Sequence, residues 1–182
     1  IFKSTDIGKT WKQLNDRTDF IFGGISKICK FKGCLFLFSQ GRDGDPNIGI
    51  SISTDDGANW LLNNEGINIY NRFRDITIAD GDIYSIFNST ICKYDFNEMK
   101  WIKGFSIDTA HLSFTSLIIN NDKMYVGCEQ KDDLLKLKLP NLFIYSQKDG
   151  SVISIRDTIS GLWQYAITSF AAMYGKIYVG TT

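Results

Sequence analysis

The sequence predicts an all-β fold on three observations: a repeated hairpin pattern, turn residues at a fixed place in each hairpin, and a second recurring motif. The chain has 182 residues, 43% of them apolar and 14% aromatic, and only 2 prolines. This composition is typical of one packed domain and excludes a disordered chain. Because 20 basic residues balance 20 acidic ones, we expect neither nucleic acid nor an anionic membrane as a partner.

Four segments align without gaps, and each predicts a β-hairpin. Short runs rich in Ile, Phe, Tyr and Val flank a central pair of residues, without the spacing of three and four that marks a helix. The central pairs are Lys32-Gly33, Asp80-Gly81, Asn121-Asp122 and Tyr174-Gly175, and Gly, Asn and Asp tolerate the positive φ of a tight turn. The hairpins are Ile25–Phe38, Phe73–Ile86, Phe114–Gly127 and Ile167–Gly180.

The hairpins recur at the interval of a propeller blade. Their second turn residues are 48, 41 and 53 positions apart, close to the length of four short strands with their turns. The sequence therefore predicts a β-propeller of four-stranded antiparallel blades, in which each hairpin supplies the first two strands.

A second motif lies between the hairpins, where it would join the third strand of a blade to the fourth. Residues 1–11 and 50–60 share a Ser, an Asp, a Gly and a Trp at the same spacing. These residues are Ser4, Asp6, Gly8 and Trp11 in the first copy and Ser53, Asp55, Gly57 and Trp60 in the second. Degenerate copies follow at 91–101, which keeps Asp95 and Trp101, and at 144–153, which keeps Ser146 and Gly150.

The pattern Ser-x-Asp-x-Gly-x-Thr-Trp resembles the Asp-box, or bacterial neuraminidase repeat, of β-propellers in sialidases, sortilin-type receptors, some glucanases and photosystem II assembly factors. In such a turn the Asp accepts backbone hydrogen bonds, the Gly supplies a strained φ and the Trp buries its ring. We therefore expect Asp6, Asp55, Trp11 and Trp60 to stabilise the blades rather than to contact a ligand. The resemblance also favours an extracytoplasmic or secreted protein.

The predicted domain covers residues 1–182. Three blades are expected at about 23–66, 73–106 and 113–157, and pairing of 167–182 with 1–14 would complete a fourth. A closed ring of this kind leaves no unpaired strand edge and predicts a monomer. The alternative is that the chain is a fragment of a six- or seven-bladed propeller, which would self-associate. The start at Ile1 without an initiator Met is typical of a cut or processed product.

A ligand site is expected in the long connections that a propeller places opposite its tight turns. Arg72 and Arg74 are two residues apart at the start of the second hairpin, so in a continuous strand they share a face. The predicted ligand-binding residues are Arg42, Tyr70, Arg72, Arg74 and Trp163. Guanidinium groups suit a carboxylate or an acidic sugar. The alternative is that Arg74 forms an ion pair with Asp75 or with a carboxylate of a neighbouring blade.

The sequence predicts no metal site, no cofactor and no membrane insertion. The four cysteines lack Cys-x-x-Cys spacing, His111 is the only histidine, and the loop with Asp43 and Asp45 lacks the spacing of an EF-hand. The longest nearly apolar runs, 34–38 and 114–119, are far shorter than the roughly 20 residues that span a bilayer. In the first hairpin Cys29 falls opposite Phe36, so free thiols are expected.

Two functions remain open. The strongest motif is structural, so the sequence favours a non-enzymatic binding module that recognises a glycan or a protein on its loop face. The alternative is a sialidase-like glycoside hydrolase or a fragment of one, which needs two carboxyl groups about 5 to 10 Å apart in a cleft. The sialidase resemblance implies three arginines for the substrate, but the chain lacks the Arg-Ile-Pro motif of the first one. No catalytic residue is therefore predicted.

Overall fold

A computed structural model describes residues 1–14, 24–40, 49–67, 73–87, 89–107, 112–130, 142–155 and 166–181. These residues contain sixteen β-strands, and none of them is helical. The all-β prediction is therefore confirmed. In the same residues, no helix has the length and apolar character needed to cross a membrane.

The chain divides into two compact units, residues 1–70 and residues 71–182. The first unit contains a two-stranded and a four-stranded antiparallel sheet, in which each strand pairs with the next along the chain. Its strands are β1 (Phe2–Lys3), β2 (Lys12–Gln13), β3 (Gly24–Phe31), β4 (Cys34–Gln40), β5 (Gly49–Ser53) and β6 (Leu61–Leu62).

The second unit contains two four-stranded sheets and one two-stranded sheet, again antiparallel and paired in chain order. The strands of its first sheet are β7 (Phe73–Ala79), β8 (Asp82–Phe87), β9 (Thr90–Asp95) and β10 (Lys100–Ser106). The second sheet contains β11 (Leu112–Asn120), β12 (Lys123–Gln130), β13 (Leu142–Ser146) and β14 (Val152–Ile155). The two-stranded sheet contains β15 (Ile167–Met173) and β16 (Lys176–Thr181).

All four predicted hairpins form, as β3–β4, β7–β8, β11–β12 and β15–β16. Both residues of each turn have positive φ, including the four non-glycine residues at the first position, Lys32, Asp80, Asn121 and Tyr174. Two consecutive residues of positive φ twist the chain in the sense that matches the flanking strands. The turn residues therefore fix the centre of each hairpin.

The predicted position of Cys29 opposite Phe36 is confirmed, and all four cysteines are free. Burial raises the pKa of the Cys29 and Cys92 thiols to about 11. Burial raises the pKa of the Cys128 thiol even further. The cysteines therefore act as small apolar side chains.

The apolar core includes the second strands β4, β8 and β12 and their neighbours β5, β9 and β11. In the first unit β4 is buried from Phe36 to Ser39, as expected for a central strand covered on both faces. In the second unit a cluster that includes Ile86, Phe114 and Val126 joins the sheet β7–β10 to the sheet β11–β14. The two four-stranded sheets of this unit thus share one core. The predicted pairing of 167–182 with 1–14 stays a prediction.

Candidate functional site

A β-bulge recurs near the start of the first strand of each hairpin. The register shifts by one residue between Ile25 and Lys27, Phe73 and Asp75, Phe114 and Ser116, and Ile167 and Ser169. The extra residues are therefore Ser26, Arg74, Thr115 and Thr168, which occupy the same position in the aligned hairpins. A bulge leaves the extra residue unpaired and redirects its side chain. In β7 this residue is Arg74.

Arg74 connects two sheets of the second unit. Its Nη2 lies 3.0 Å from Oε1 of Glu129 near the end of β12, and both side chains are partly exposed. Its Nε is buried and has no hydrogen-bond acceptor within the described part of the chain. The ion pair with a neighbouring sheet is the structural alternative that the sequence left open. The Nε–H of this guanidinium therefore remains able to donate a hydrogen bond to a further acceptor.

Asp75, the next residue, is occupied by backbone hydrogen bonds. The Leu117 N–H in β11 donates to Asp75 Oδ2 at 2.9 Å, and the Ile76 N–H donates to Oδ1 at 2.8 Å. The Ser85 hydroxyl donates to the Asp75 carbonyl oxygen at 3.1 Å. Asp75 therefore ties β7 to β11, and this tie holds the bulge that carries Arg74.

The next bulge makes an equivalent connection with hydroxyl groups. Ser116 Oγ donates to the Ile167 carbonyl oxygen at 3.2 Å, and Thr115 Oγ1 donates to the same oxygen. Gly127, opposite Ser116, allows this approach, because a Cβ there would lie 2.5 Å from Ser116 Oγ and 2.6 Å from Ile167 Cγ2. The polar bulge residues thus hold consecutive first strands together in the second unit.

Of the five predicted ligand-binding residues, the structure describes only Arg74. Arg42, Tyr70, Arg72 and Trp163 lie outside the described residues, as does His111. Sequence reasoning missed Glu129 and the bulge itself. The shared polar residue at the second position of the aligned hairpins, which is Ser, Arg or Thr, is the pattern that could have indicated the bulge.

The first Ser-Asp-Gly-Trp motif forms a closed hydrogen-bonded turn between β1 and β2. Ser4 Oγ donates to Asp6 Oδ1 at 2.8 Å and accepts the Gly8 N–H at 2.7 Å. Asp6 Oδ1 accepts the Thr10 N–H at 2.8 Å, and Trp11 Nε1–H donates to the Gly8 carbonyl at 3.1 Å. All of these bonds lie within the turn.

The second copy, between β5 and β6, repeats this arrangement. Ser53 Oγ accepts the Gly57 N–H at 2.8 Å, and Asp55 Oδ1 accepts the Asn59 N–H at 2.8 Å. The Asn59 side chain replaces the Thr10 hydroxyl and donates to Asp55 Oδ2 at 2.7 Å. Trp60 Nε1–H donates to the Gly57 carbonyl oxygen at 3.1 Å.

These hydrogen bonds favour the charged carboxylate in both turns. They lower the pKa of Asp6 from 3.8 to about 2, with the Thr10 hydroxyl as the largest cause. They lower the pKa of Asp55 from 3.8 to about 2, with the Asn59 N–H as the largest cause. The neighbouring Asp56 has a pKa below 3.8 because the Lys3 ammonium donates to its carboxylate.

The two tryptophans differ in burial. Trp60 is 4% exposed, as expected, whereas Trp11 is 62% exposed, contrary to the expectation of a buried ring. Trp60 belongs to a four-stranded sheet, and β1–β2 has only two strands. The turn therefore forms in both places, but the ring is covered only where the sheet is complete.

The degenerate copies also form turns. Asp95 Oδ1 accepts the Asn97 N–H at 2.7 Å, and Trp101 is buried. In the last copy Asp149 Oδ1 accepts the Ser151 N–H at 2.9 Å, which is the largest cause of a pKa lowered to about 2. Sequence reasoning missed Asp149, although an Asp-Gly dipeptide is a turn signature.

Sheets of four antiparallel strands in chain order, each with a tight first hairpin, define a β-propeller built of four-stranded blades. No family model and no curated protein matches the sequence. Solved structures with propeller-like folds do match it. They include YCF48 bound to D1 peptide, with a TM-score of 0.63 and 13% identity over 99% of this chain and 54% of that one.

Two other solved structures also match the chain. One is the extracellular domain of a protein described as a one component system from B. thetaiotaomicron, with a TM-score of 0.60 and 16% identity over 85% of this chain and 19% of that one. The other is an exo-beta-1,3-galactanase from Phanerochaete chrysosporium, with a TM-score of 0.54 and 13% identity over 81% of this chain and 38% of that one. The chain thus spans at most about half the length of these proteins, and the likeness shows the fold.

Proposed function

We propose that this chain is a non-enzymatic binding module that recognises a carboxylate-bearing partner, preferably a protein segment, at the sheet end where Arg74 lies. Arg74 carries the proposal, because the β7 bulge displays a partly exposed guanidinium whose buried Nε lacks an acceptor within the described residues. Glu129 occupies only part of its donor capacity, and a planar guanidinium favours carboxylate in a two-pronged arrangement.

The other residues of the predicted ligand site, Arg42, Tyr70, Arg72 and Trp163, lie outside the described residues, and their part in binding stays a prediction from the sequence. Arg72 precedes Arg74 by two residues, and Tyr70 precedes Arg72 by two. Arg42 belongs to the connection between β4 and β5, and Trp163 belongs to the connection that precedes β15. A propeller that binds a peptide, YCF48 with D1 peptide, is among the structural matches and supports a protein partner.

We also propose that the turns at residues 1–11 and 50–60 are Asp-boxes in the sense of the resembling family. Their support is the shared set of hydrogen bonds among Ser, Asp, Gly and Trp. Because the polar groups of these turns bond one another, their role in this proposal is to close the turn between the last two strands of a blade.

The test compares binding by the parent chain, Arg74→Gln and the matched control Lys93→Gln. Lys93 forms an ion pair with Asp82 at 2.6 Å in the same unit, so the control removes one cation and one ion pair elsewhere. Binding to an immobilised panel of acidic peptides and acidic glycans would be measured by interferometry. We expect Arg74→Gln to weaken binding about tenfold or more and Lys93→Gln to change it less than about twofold.

Two results would contradict the proposal. One is a parent chain that binds no acidic peptide and no acidic glycan. The other is Arg74→Gln that loses its folded far-UV circular dichroism, since Arg74 would then serve as a structural ion pair with Glu129.

A glycoside hydrolase is the second candidate, supported by the galactanase among the structural matches. Asp75 is the carboxylate next to Arg74 in the sequence, and Glu129 is the carboxylate that contacts its guanidinium. Asp75 accepts hydrogen bonds from backbone N–H groups, and Glu129 is paired with Arg74. Acid and base catalysis needs a carboxyl group that exchanges a proton with substrate. We therefore expect no hydrolysis of sialosides or β-1,3-galactans by the parent chain. If the parent chain hydrolyses either substrate, and if Glu129→Gln loses this activity while Lys93→Gln keeps it, the chain is a hydrolase instead.

A further inference from the structure

Arg74 and Glu129 are exceptions among the equivalent residues of the four hairpins. Every other residue at these two positions is polar and uncharged. The position of Arg74 contains Ser26, Thr115 and Thr168, and the position of Glu129, two residues beyond the end of each aligned segment, contains Gln40, Asn88 and Thr182. Arg74 and Glu129 are therefore the charged members of two otherwise neutral sets.

The bulge does not require a charged residue. It is present in all four hairpins, whichever residue it contains. In β11 the bulge residue Thr115 connects to β15 through its hydroxyl, which donates to the Ile167 carbonyl oxygen. The connection between β7 and β11 is made by Asp75, whose Oδ2 accepts a backbone N–H of β11 at 2.9 Å. The ion pair of Arg74 with Glu129 is thus additional to these contacts, and a partly exposed ion pair contributes little stability.

Glu129 contacts the guanidinium at a single nitrogen. Its Oε1 lies 3.0 Å from Nη2 of Arg74. The Nε atom shares an edge of the guanidinium with Nη2, is buried, and has no acceptor within the described residues. A carboxylate that bound this edge in a two-pronged arrangement would accept hydrogen bonds from both nitrogens. Glu129 therefore orients Arg74 without occupying its Nε–H.

The charges around Arg74 limit the kind of acceptor that its Nε–H can bind. Arg74 contributes one positive charge, Glu129 contributes one negative charge, and Asp75, the next residue in β7, contributes another. A ligand with one negative charge is compensated by the guanidinium that it contacts. A second negative charge on the ligand has no further partner in Arg74, and Glu129 repels it from the same guanidinium. The arrangement therefore favours a single carboxylate over a phosphate dianion.

We infer that Glu129 is a specificity-determining residue of the Arg74 site, which makes the site accept the carboxylate of a peptide and reject a phosphorylated peptide. The inference rests on the proposed function, because it requires that Arg74 binds the acidic group of a partner. Glu129 has two effects. It holds Nη2, and its charge weakens the binding of every anion in proportion to the charge of that anion. The neutral residues at the equivalent positions of the other hairpins carry no charge that could supply this repulsion.

The test uses three peptides that differ at one position, which contains Glu, phosphoserine or Gln. Their common sequence is that of the acidic peptide that the parent chain binds most tightly. Phosphoserine carries close to two negative charges at a pH of about 7.5. The affinity of each immobilised peptide is measured by interferometry at low ionic strength, where surface charges are least screened. We expect the parent chain to bind the Glu peptide more tightly than either of the other two.

The variant Glu129→Gln removes the charge and keeps an oxygen that can accept from Nη2. It should tighten binding of the Glu peptide about threefold to tenfold, and of the phosphoserine peptide about tenfold to a hundredfold, because the repulsion scales with the charge of the ligand. The matched control is Glu98→Gln, which removes a carboxylate paired with Lys100 in the same unit. It should change neither affinity more than about twofold.

Far-UV circular dichroism checks that each variant folds. If Glu129→Gln unfolds, Glu129→Asn replaces it, since Asn is the residue at the equivalent position of the second hairpin. The inference is overturned if the parent chain binds the phosphoserine peptide as tightly as the Glu peptide, or if Glu129→Gln tightens both equally. It is also overturned if Glu129→Gln weakens binding of the Glu peptide, because Glu129 would then act only by holding Arg74.

The variant Arg74→Gln separates this inference from the proposed function. If Arg74→Gln loses binding of the Glu peptide while the charge of Glu129 has no effect, the proposed function stands and the inference alone is wrong. If Arg74→Gln binds the Glu peptide like the parent chain, the proposed function is wrong and the inference is wrong with it.

Discussion

The two tryptophans of the repeated turns give a prediction that isolates the effect of burial. Trp11 and Trp60 make the same Nε1–H hydrogen bond to a glycine carbonyl, at 3.1 Å in both turns. Substitution by Ala removes this bond equally at both positions. The difference in stability therefore measures how much of each ring the rest of the protein covers.

The magnitudes follow from the exposed fractions. Replacing a fully buried large aromatic by Ala costs about 3 to 5 kcal/mol, and Trp60 is 4% exposed. Trp11 is 62% exposed, so Trp11→Ala should cost about 1 to 2 kcal/mol. Urea unfolding followed by far-UV circular dichroism measures both, at a protein concentration where sedimentation shows one protomer.

The interpretation of the assay depends on the denaturant slope as well as on the midpoint. A lowered midpoint with an unchanged slope reports lost stability, whereas a changed slope reports a different unfolding reaction. A loss at Trp11 equal to or greater than the loss at Trp60 would refute the argument, because the turn itself and not its cover would then determine the contribution of the ring.

Two further predictions concern the close approach of strands and the turn carboxylates. Gly127→Ala should destabilise the second unit by about 1 to 3 kcal/mol, because its Cβ would overlap Ser116 Oγ and Ile167 Cγ2. Gly24 has open space around it, so Gly24→Ala should leave stability unchanged or increase it in the same urea assay. Acid titration should lower the melting temperature as the pH falls from 3.8 toward 2, because the pKa of Asp55 is lowered in the folded state, so its contribution is fully present above the unfolded value and is lost as the pH falls toward the folded value. Asp55→Asn should show a smaller decrease over that range, and an identical decrease would contradict a role for this carboxylate.

The sequence predicted the strands well because their determinants are local. A two-residue turn fixes the centre of a hairpin, and alternating apolar residues on either side fix its length. Even Tyr174-Gly175, the least typical of the four pairs, has positive φ at both residues. The Ser-Asp-Gly-Trp turns were equally predictable, since every bond of the Ser4 turn joins residues at most four positions apart.

The candidate site was predictable only at Arg74. Its partner Glu129 is 55 positions away in the sequence, and no local pattern predicts an ion pair between β7 and β12. The bulge at Arg74 interrupts the regular pairing of β7 at that residue, and Arg72 lies outside the described residues, so their sharing of one face stays a prediction. Asp149 was missed for a related reason, since it lies one position away from the place that the motif assigns to its Asp.

The all-β class, the four hairpins and the turns between the last strands of each blade were predictable from local patterns, because they depend on the φ preferences and hydrogen bonds of neighbouring residues. The three-dimensional structure was needed to show that Arg74 pairs with Glu129, that Gly127 admits Ile167, and that one of two equivalent tryptophans is covered while the other is exposed. Each of these depends on which strands lie beside one another, and burial is a property of the neighbouring strand rather than of the residue. The same Ser-Asp-Gly-Trp turn therefore buries its ring at Trp60 and exposes it at Trp11.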